Sequence, residues 1–277
     1  MTVENMPGNA RFGVVAMIGG GKMGEAIAGG LVDAGTLGNS QIIVAEPDAE
    51  RRTELIDRYP FMCVARNSQA LLDASMAILA VKPQVLEQVV RDVASELSGT
   101  LVVSIAAGFS TARIESLLPA GSRVVRVMPN TPALVGEGMA LVCGGSEASE
   151  DDVALVADLF ASIGEAQVID EKLMDAATAI SGSGPAYFAL VIDALARAGV
   201  AEGLPRPVAQ DLAVQTMRGT AALLSETGMH PEELIDGVAS PGGTTIAALE
   251  RLEAGAVRAS FAAAVAAAVR RAHELGA

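Results

Sequence analysis

The stretch VVAMIGGGKMGEAIAGGLVDAG, residues 14–35, combines three signals that decide how the first part of the chain folds. Its opening run, residues 14–18, is apolar on both faces, as in strands that are buried inside a parallel sheet. Glycines at positions 19, 21 and 24 follow at once and fit the spacing G-x-G-x-x-G. The residues from Met23 to Ala34 have helical composition, and Gly35 is a typical helix stop. The stretch therefore predicts a strand, a tight glycine turn and a helix in direct succession.

This succession is the context in which G-x-G-x-x-G binds the pyrophosphate of a dinucleotide. Gly19 permits the tight turn, Gly21 lets the backbone approach the phosphates, and Gly24 lets the helix pack on the strand. The first helical residues, Lys22 and Met23, place amide donors and the positive end of the helix dipole beside the ligand. A glycine-rich turn that serves only sheet packing is the simpler alternative.

Glu46 stands 22 positions after Gly24, directly after a second apolar run at residues 42–45. A carboxylate at this distance accepts hydrogen bonds from the hydroxyls of the adenosine ribose, which favours dinucleotide binding over the simpler alternative. It also repels a 2′-phosphate, so this residue taken alone favours NADH over NADPH. Arg51 and Arg52 follow closely. They are expected to form a solvated helix face, and softening of the charge on Glu46 is the alternative.

Further apolar runs occur at residues 76–81, 101–105, 124–128 and 139–143, with room for helices between them. This alternation predicts an α/β domain over residues 1–170, a doubly wound parallel sheet of the Rossmann type. Ligands of such sheets bind beyond the carboxyl ends of the strands, so the loops there are expected to border the nicotinamide. An ordinary turn is the alternative for each loop. The loops contain these candidate cofactor-binding residues: Ala80, Val81, Lys82, Pro83, Ala106, Ala107, Gly108 and Asn130.

From Leu173 onward no strand pattern remains, and proline and glycine divide an alanine- and leucine-rich sequence. The sequence predicts an all-α domain over residues 171–277, with helices that include 207–226 and 246–253. A stripe in the first of these helices consists of Leu212, Thr216, Gly219 and Leu223, and a core face and a subunit interface are equal alternatives for it. Helices are expected to begin near Pro185, Pro205, Pro207 and Pro231, and to end at Gly199, Gly203 and Gly228.

Composition excludes several classes of protein. The chain has 277 residues, of which 51% are hydrophobic, and a formal net charge of −14, with a mean hydropathy of +0.42. This hydropathy excludes a largely disordered chain, and the acidic charge without clustered lysine and arginine argues against a nucleic-acid partner.

The location of the protein is inferred from what the sequence lacks. Apolar runs such as residues 261–269 are too short to span a bilayer, and the N-terminal segment has no signal-sequence pattern. We expect a cytoplasmic protein without membrane contact, in which Cys63 and Cys143 are buried thiols. No cysteine or histidine spacing suggests a metal site.

Two glycine-rich segments interrupt the helical part. Residues 181–187 read SGSGPAY, and residues 240–245 read SPGGTT directly before a predicted helix. A glycine pair followed by threonines at a helix start exposes backbone amides that suit a carboxylate. For each segment taken alone, a capped turn between helices is the simpler interpretation.

Together with the glycine fingerprint, these segments resemble the pyrroline-5-carboxylate reductase family over nearly the whole chain. The resemblance includes AVKP at 80–83, SIAAG at 104–108, MPNTP at 128–132, AGVAEGLP at 198–205 and SPGGTTIAALE at 240–250. It implies hydride transfer from NADPH or NADH to the C=N carbon of 1-pyrroline-5-carboxylate, which gives L-proline in the last step of proline biosynthesis. It also implies a homodimer formed by the helical domain, and rings of dimers such as a decamer.

The resemblance assigns roles to individual residues. Thr245 would be catalytic, because its hydroxyl would hydrogen-bond the ring nitrogen, and Asn67, after the third strand, would contact the adenosine ribose. Glu46 stands where many members of the family carry a small or basic residue, so it and the usual NADPH preference point in opposite directions. The implied substrate site consists of Ser183, Ser240, Gly242, Gly243 and Thr244, with the amides around the last three holding the carboxylate.

The available side chains agree with imine reduction. The chain has two histidines, and His230 is expected to cap a helix or lie at the surface. Imine reduction does not demand a histidine acid, because a protonated imine is already electrophilic and positioning with one hydrogen bond suffices. Lys82 is expected to shape the cofactor loop rather than act as a base.

Two other functions remain as alternatives. The first is a reductase of the same plan for another cyclic imine or a hydroxyacid. The hydroxyacid version needs a lysine in the helical domain, and no lysine follows Lys172. The second is a regulatory dimer that binds a dinucleotide without turnover, which would have no use for the SPGGTT segment.

Overall fold

The computed structural model describes residues 10–276, without the side chains of residues 275 and 276. The chain forms two compact units, one that runs up to Gly182 and takes in the segment from Ala268 onward, and one that comprises Ser183–Ala267. The domain boundary at residue 170 stays a prediction from the sequence. The expectation about a signal sequence falls largely outside the described residues.

The first unit contains one sheet of eight strands flanked by helices. The strands are β1 Val15–Ile18, β2 Ile42–Ala45, β3 Met62–Val64, β4 Met76–Leu79, β5 Leu101–Ser104, β6 Val124–Met128, β7 Gly138–Gly144 and β8 Gly164–Val168. The helices are α1 Lys22–Asp33, α2 Ala49–Arg58, α3 Asn67–Leu71, α4 Pro83–Asp92, α5 Thr111–Glu115, α6 Glu150–Ala161 and α7 Met174–Ser181.

The strand order is β3-β2-β1-β4-β5-β6-β7-β8, and β1 to β6 are parallel, as predicted. The prediction of a wholly parallel sheet is wrong at one place, because β7 runs antiparallel to β6. The connection between them, residues 129–137, contains only a 3₁₀ turn at Thr131–Val135, and a parallel crossover needs a dozen or more residues. Strand β8, with the sequence GEAQV, is too polar to be recognised from hydropathy.

Strand β1 shows how the core is divided. Val15 and Met17 lie in an apolar cluster with residues of α1 and α6, whereas Ala16 and Ile18 lie in a second cluster with residues of α3 and α4. All four side chains are fully buried. Because successive residues of a strand point to opposite faces, a strand that is apolar throughout must be covered by helices on both sides. The doubly wound architecture follows from this pattern.

Both cysteines lie in the first unit and are free thiols. Cys143 in β7 is buried, and its burial raises the pKa of the thiol to about 11. Cys63 in β3 is half-buried, and burial raises its pKa as well. The prediction of buried thiols is confirmed for Cys143 and holds only in part for Cys63. Neither is a reactive thiolate at neutral pH.

The second unit is helical, as predicted. Its helices are α8 Gly184–Ala201, α9 Arg206–Thr227, α10 Pro231–Val238, α11 Thr244–Ala254 and the beginning of α12 Val257–Gly276. The prolines lie at helix starts, and Gly228 ends α9. The prediction that Gly199 ends a helix is wrong, because it lies inside α8. Its small size lets α9 pack closely there, since a Cβ on Gly199 would lie 3.1 Å from the Cβ of Ala209.

The small-residue stripe of α9 is exposed in the described chain. Leu212 and Leu223 are 55% and 42% exposed, and no other atom lies within 4 Å of a Cβ built on Gly219. The stripe is therefore not a core face of this chain. Of the two alternatives that the sequence leaves open, the subunit interface remains.

Ala256, between α11 and α12, has a φ of +53°, in the left-handed region that favours glycine. A Cβ in this region costs roughly 1 kcal/mol. We expect Ala256→Gly to raise the melting temperature by about 2–4 °C, measured by calorimetry. The matched control is Ala248→Gly inside α11, which is expected to lower it, because glycine costs about 1 kcal/mol in a helix. A fall in both variants would contradict the strain at Ala256.

Candidate functional site

The loop between β1 and α1 is built on two close backbone contacts. Gly19 has a φ of +108°, and a Cβ on it would lie 2.8 Å from the carbonyl oxygen of Ala80. A Cβ on Gly24 would lie 2.1 Å from the carbonyl oxygen of Gly19. No side chain fits at either position. The predicted tight turn and the predicted packing of helix on strand are both confirmed.

The start of α1 fits a diphosphate. Gly21 is its N-cap residue, and no side chain caps the helix. A Cβ built on Gly21 would meet open space among the described residues. Uncapped amides of Lys22 and Met23 beside open space are the donors that bind phosphate at helix starts. The residues present therefore suit the dinucleotide that the fingerprint predicts.

A cavity of about 590 Å³ lies beyond the carboxyl ends of the strands next to β1. It brings together three of the predicted cofactor-binding residues, Gly19, Asn67 and Val81. Strand β1 lies between β2 and β4, where the order of the strands reverses. Open α/β sheets bind their ligands at this switch point.

Glu46 is hydrogen-bonded to the loop. Its Oε2 accepts from the Gly20 N–H at 3.0 Å, and its Oε1 accepts from the Asp48 N–H at 3.0 Å. Each carboxylate oxygen has a further lone pair, so Glu46 can still accept from a ribose hydroxyl. The guanidinium of Arg52 donates to the main-chain oxygens of Glu46 and Pro47, at 2.7 and 2.8 Å.

Arg51 also contacts the loop, because its Nε donates to the Gly20 carbonyl oxygen at 2.9 Å. Its Nη2 forms an ion pair with Glu25 of α1, which Arg58 also contacts. Burial raises the pKa of Glu25, but hydrogen bonds and charge from the two arginines outweigh it and hold the pKa below the ordinary 4.5. The expectation that Arg51 and Arg52 form a solvated face is wrong, because Arg51 binds the backbone of the glycine loop and Arg52 binds the backbone that follows β2.

A basic residue that the sequence pattern does not predict lies at the cavity. Arg66 lines the 590 Å³ cavity next to Asn67. It is exposed, and no ion pair of Arg66 occurs in the part of the chain that the structure describes. A lone arginine has no spacing signal, so only the fold reveals that it lies at the cavity.

The remaining predicted loops lie at the carboxyl ends of their strands. Lys82 and Pro83 form the start of α4, and the Ala80 N–H donates to Ile18 O at 2.8 Å, which fixes this loop beside β1. The loop at Ala106, Ala107 and Gly108 follows β5. The Ala106 N–H donates to the Ser104 hydroxyl at 3.3 Å, and Gly108 has a φ of +78°. Contact of either loop with the cofactor stays a prediction.

Asn130 follows β6, where it is buried and both ends of its side-chain amide are hydrogen-bonded. Its Nδ2 donates to the Ser181 carbonyl oxygen at 3.0 Å, and its Oδ1 accepts from the Met139 N–H at 2.9 Å. The side chain thus holds the MPNTP loop against the end of α7 and the start of β7. Its contact with the cofactor stays a prediction. This positioning role was not foreseen from the sequence.

The two glycine-rich segments interrupt the helices as predicted. α7 ends at Ser181 and α8 begins at Gly184, with Ser183 as an N-cap whose side chain makes no capping bond. In the other segment, the Gly243 N–H donates to Ser240 O at 2.9 Å.

The start of α11 suits a carboxylate. Gly243 is its N-cap, no side chain caps it, and the preceding Gly242 turns the chain with a φ of +69°. The first-turn amides of Thr244 and Thr245 are left open by this geometry, as a carboxylate site requires. The roles of these residues stay predictions.

His230 caps α10, where its Nδ1 accepts from the Glu232 N–H at 3.2 Å, as expected. Within residues 10–276 no cluster of histidine, cysteine and acidic residues forms a metal site.

Comparison with known proteins gives the family. The model for the pyrroline-5-carboxylate reductase dimerisation domain matches residues 171–275, and the model for NADP oxidoreductase, coenzyme F420-dependent, matches residues 14–108. A pyrroline-5-carboxylate reductase of Synechocystis sp. is 45% identical, over 95% of this chain and 98% of its own. The chain belongs to the pyrroline-5-carboxylate reductase family. The resemblance found in the sequence is confirmed.

Other members support the same assignment. The pyrroline-5-carboxylate reductase of Arabidopsis thaliana is 42% identical over 99% of both chains. The solved structure of the Coxiella burnetii enzyme is 34% identical with a TM-score of 0.90, over 96% of this chain and 99% of that one. The Plasmodium falciparum enzyme, solved with NADP bound, is 32% identical with a TM-score of 0.87, over 95% and 98%. The predicted fold, a Rossmann-type domain followed by a helical dimerisation domain, is confirmed.

One finding differs from the expectation about apolar runs. In the described part of the chain, the segment Glu171–Ala201 is long and apolar enough to cross a membrane, and the bent pair formed by α11 and α12 passes the same test. Both lie in the region that matches the reductase dimerisation domain. Exposed apolar helix faces are what such a domain buries between subunits.

The two contrasting glycines of the loop give a test of this site. We expect Gly24→Ala to unfold the loop and abolish dinucleotide binding, because its Cβ would overlap the Gly19 carbonyl oxygen. Gly21→Ala is expected to keep the melting temperature within about 2 °C, since that Cβ meets open space, but to weaken NAD⁺ and NADP⁺ binding by at least about tenfold. Titration calorimetry measures the two affinities, and scanning calorimetry measures the melting temperature. Unchanged affinity in Gly21→Ala would show that the loop does not hold the diphosphate.

Proposed function

We propose that this protein reduces 1-pyrroline-5-carboxylate to L-proline with a nicotinamide dinucleotide, the last step of proline biosynthesis. The observation that carries the proposal is the 45% identity to a pyrroline-5-carboxylate reductase along nearly the whole chain. It is supported by the uncapped starts of α1 and α11, one suited to a diphosphate and the other to a carboxylate.

The bound dinucleotide supplies a hydride to the imine carbon. The protein has to fix the ring that receives it. The open amide of Thr244 at the start of α11 holds the carboxylate, and the hydroxyl of Thr245, one residue further along α11, holds the ring nitrogen. Two fixed points determine which ring carbon faces the hydride donor. No acidic side chain has to protonate the ring during transfer, because the protonated imine is already electrophilic.

The assembly follows from the helical domain. The chain carries the dimerisation domain of its family, and large apolar side chains such as Phe188 and Leu190 are 58% and 70% exposed in the single chain. We propose a cytoplasmic homodimer that buries these faces, with rings such as a decamer as a further stage of assembly.

The catalytic role of Thr245 is tested by Thr245→Val, which removes the hydroxyl and keeps the shape. We expect kcat with 1-pyrroline-5-carboxylate to fall at least about a hundredfold, while the Kd for NADH stays the same. Thr244→Val is the matched control and is expected to keep most of the activity, because Thr244 acts through its backbone amide. Unchanged turnover in Thr245→Val would remove Thr245 from the mechanism. A folded wild-type protein that binds the dinucleotide without turnover would contradict the proposed reaction.

We further propose that NADH is the preferred cofactor. The carboxylate of Glu46 is fixed beside the glycine loop by the Gly20 and Asp48 amides, and no side-chain cation pairs with that carboxylate among the described residues. An unneutralised carboxylate binds a ribose diol and repels a 2′-phosphate. Arg66 supports the opposite preference, because it lines the cavity that Gly19 and Asn67 also line and forms no ion pair within the described part of the chain.

The two residues can be separated by direct binding. For the wild type we expect NADH to bind at least about tenfold more tightly than NADPH, a difference of about 1.4 kcal/mol. Glu46→Ser is expected to reverse the ratio, and Arg66→Gln in the Glu46→Ser background is expected to weaken NADPH alone. Titration calorimetry gives the constants. A wild type that prefers NADPH and loses this preference in Arg66→Gln would make Arg66 the determinant.

A further inference from the structure

The glycine loop has an unusual need for external support. Gly19, Gly20 and Gly21 are consecutive, so this part of the loop has no side chains that could pack and hold it. Glycine loses more backbone freedom on ordering than any other residue. A loop of this composition binds a diphosphate tightly only if something else holds it in the binding conformation.

Two side chains outside the loop support it by bonding the N–H and the carbonyl oxygen of Gly20. Its N–H donates to Glu46 Oε2 at 3.0 Å, and its carbonyl oxygen accepts from Arg51 Nε at 2.9 Å. Glu46 follows β2 and Arg51 lies in α2, so the middle of the loop is held between two elements outside it. The N–H of Gly19 is bonded as well, to Ala45 O at 2.9 Å.

Arg51 is itself held in place. Its Nη2 pairs with Glu25 of α1 and its Nη1 with Glu54 at 2.8 Å, so all three guanidinium nitrogens are bonded. The Glu25 side chain is only 9% exposed and also receives Arg58. Because its three nitrogens bond the Gly20 carbonyl, Glu25 and Glu54, Arg51 is placed to act on the loop.

We propose that Arg51 is a positioning residue that holds the glycine loop in its dinucleotide-binding conformation through the Gly20 carbonyl, and that Glu46 does the same through the Gly20 N–H. The inference deepens the proposed function and rests on it. A lysine cannot replace Arg51, because one ammonium cannot reach the Gly20 carbonyl, Glu25 and Glu54 with the geometry of the guanidinium fork.

Arg51→Lys and Arg58→Gln form a matched pair for the test. Both alter the contacts to Glu25, but only the first alters the residue that is bonded to the loop. We expect Arg51→Lys to weaken the binding of ADP-ribose about tenfold, the loss typical of one hydrogen bond to a charged group. Arg58→Gln is expected to change it less than about twofold. In steady-state assays, Arg51→Lys should raise the KM for NADH and leave kcat and the KM for the imine substrate nearly unchanged.

Hydrogen exchange of the free protein reports on the loop directly. Without nucleotide, the peptide that spans Gly19–Gly24 should exchange faster in Arg51→Lys than in the wild type, and at the wild-type rate in Arg58→Gln. Equal losses of affinity in both variants, or an unchanged loop in Arg51→Lys, would overturn the proposal. Loss of ADP-ribose affinity confined to Arg51→Lys, in a protein that does not turn over 1-pyrroline-5-carboxylate, would refute the reaction and leave the inference intact.

Discussion

The contact of Gly24 with the carbonyl oxygen of Gly19 is the constraint on which the nucleotide site depends. Because a Cβ at Gly24 would come within 2.1 Å of that oxygen, α1 can start directly at the carboxyl end of β1. Its first amides then reach the crevice where the strand order reverses. Were α1 displaced by the width of a methyl group, the loop, the open space at Gly21 and the contact of Gly19 with Ala80 would all move. The position of the cavity beside β1 thus depends on the close contact between the backbone of Gly24 and that of Gly19.

Much of this domain could be predicted from the sequence because its signals are local. A strand that is apolar on both faces predicts its own burial, and the glycine spacing predicts the turn that follows. What could not be predicted depends on residues that are distant in sequence. Glu25, Arg51 and Arg58 come together only after α1 and α2 have packed, and each of them alone looks like an ordinary surface charge. The reversal of β7 escaped prediction for a related reason, since hydropathy does not record strand direction.

The helical domain illustrates a different limit. Helix starts at prolines and the two glycine-rich interruptions were predictable, because capping and backbone freedom act within a few residues. The surface that covers the small-residue stripe of α9 was not predictable. Periodicity indicates that a helix face is buried, but it does not show which surface packs against that face. The single chain leaves Leu212 and Leu223 exposed, and the match to a dimerisation domain supplies the other half of the packing. The sequence of one chain therefore indicates only one of the two surfaces of this interface.

The residue proposed to set the cofactor preference, Glu46, also bonds the glycine loop. In dinucleotide-binding folds of this type the acidic residue after the second strand hydrogen-bonds the ribose. Here the same carboxylate also secures the peptide of a loop made of three glycines. A substitution of Glu46 would therefore act at two places, at the ribose hydroxyls and, through the Gly20 N–H, on the order of the loop. A side chain at position 20 cannot take over this support, because a Cβ there would lie 2.7 Å from Leu55 Cδ1 and 3.1 Å from the Cβ of Glu46.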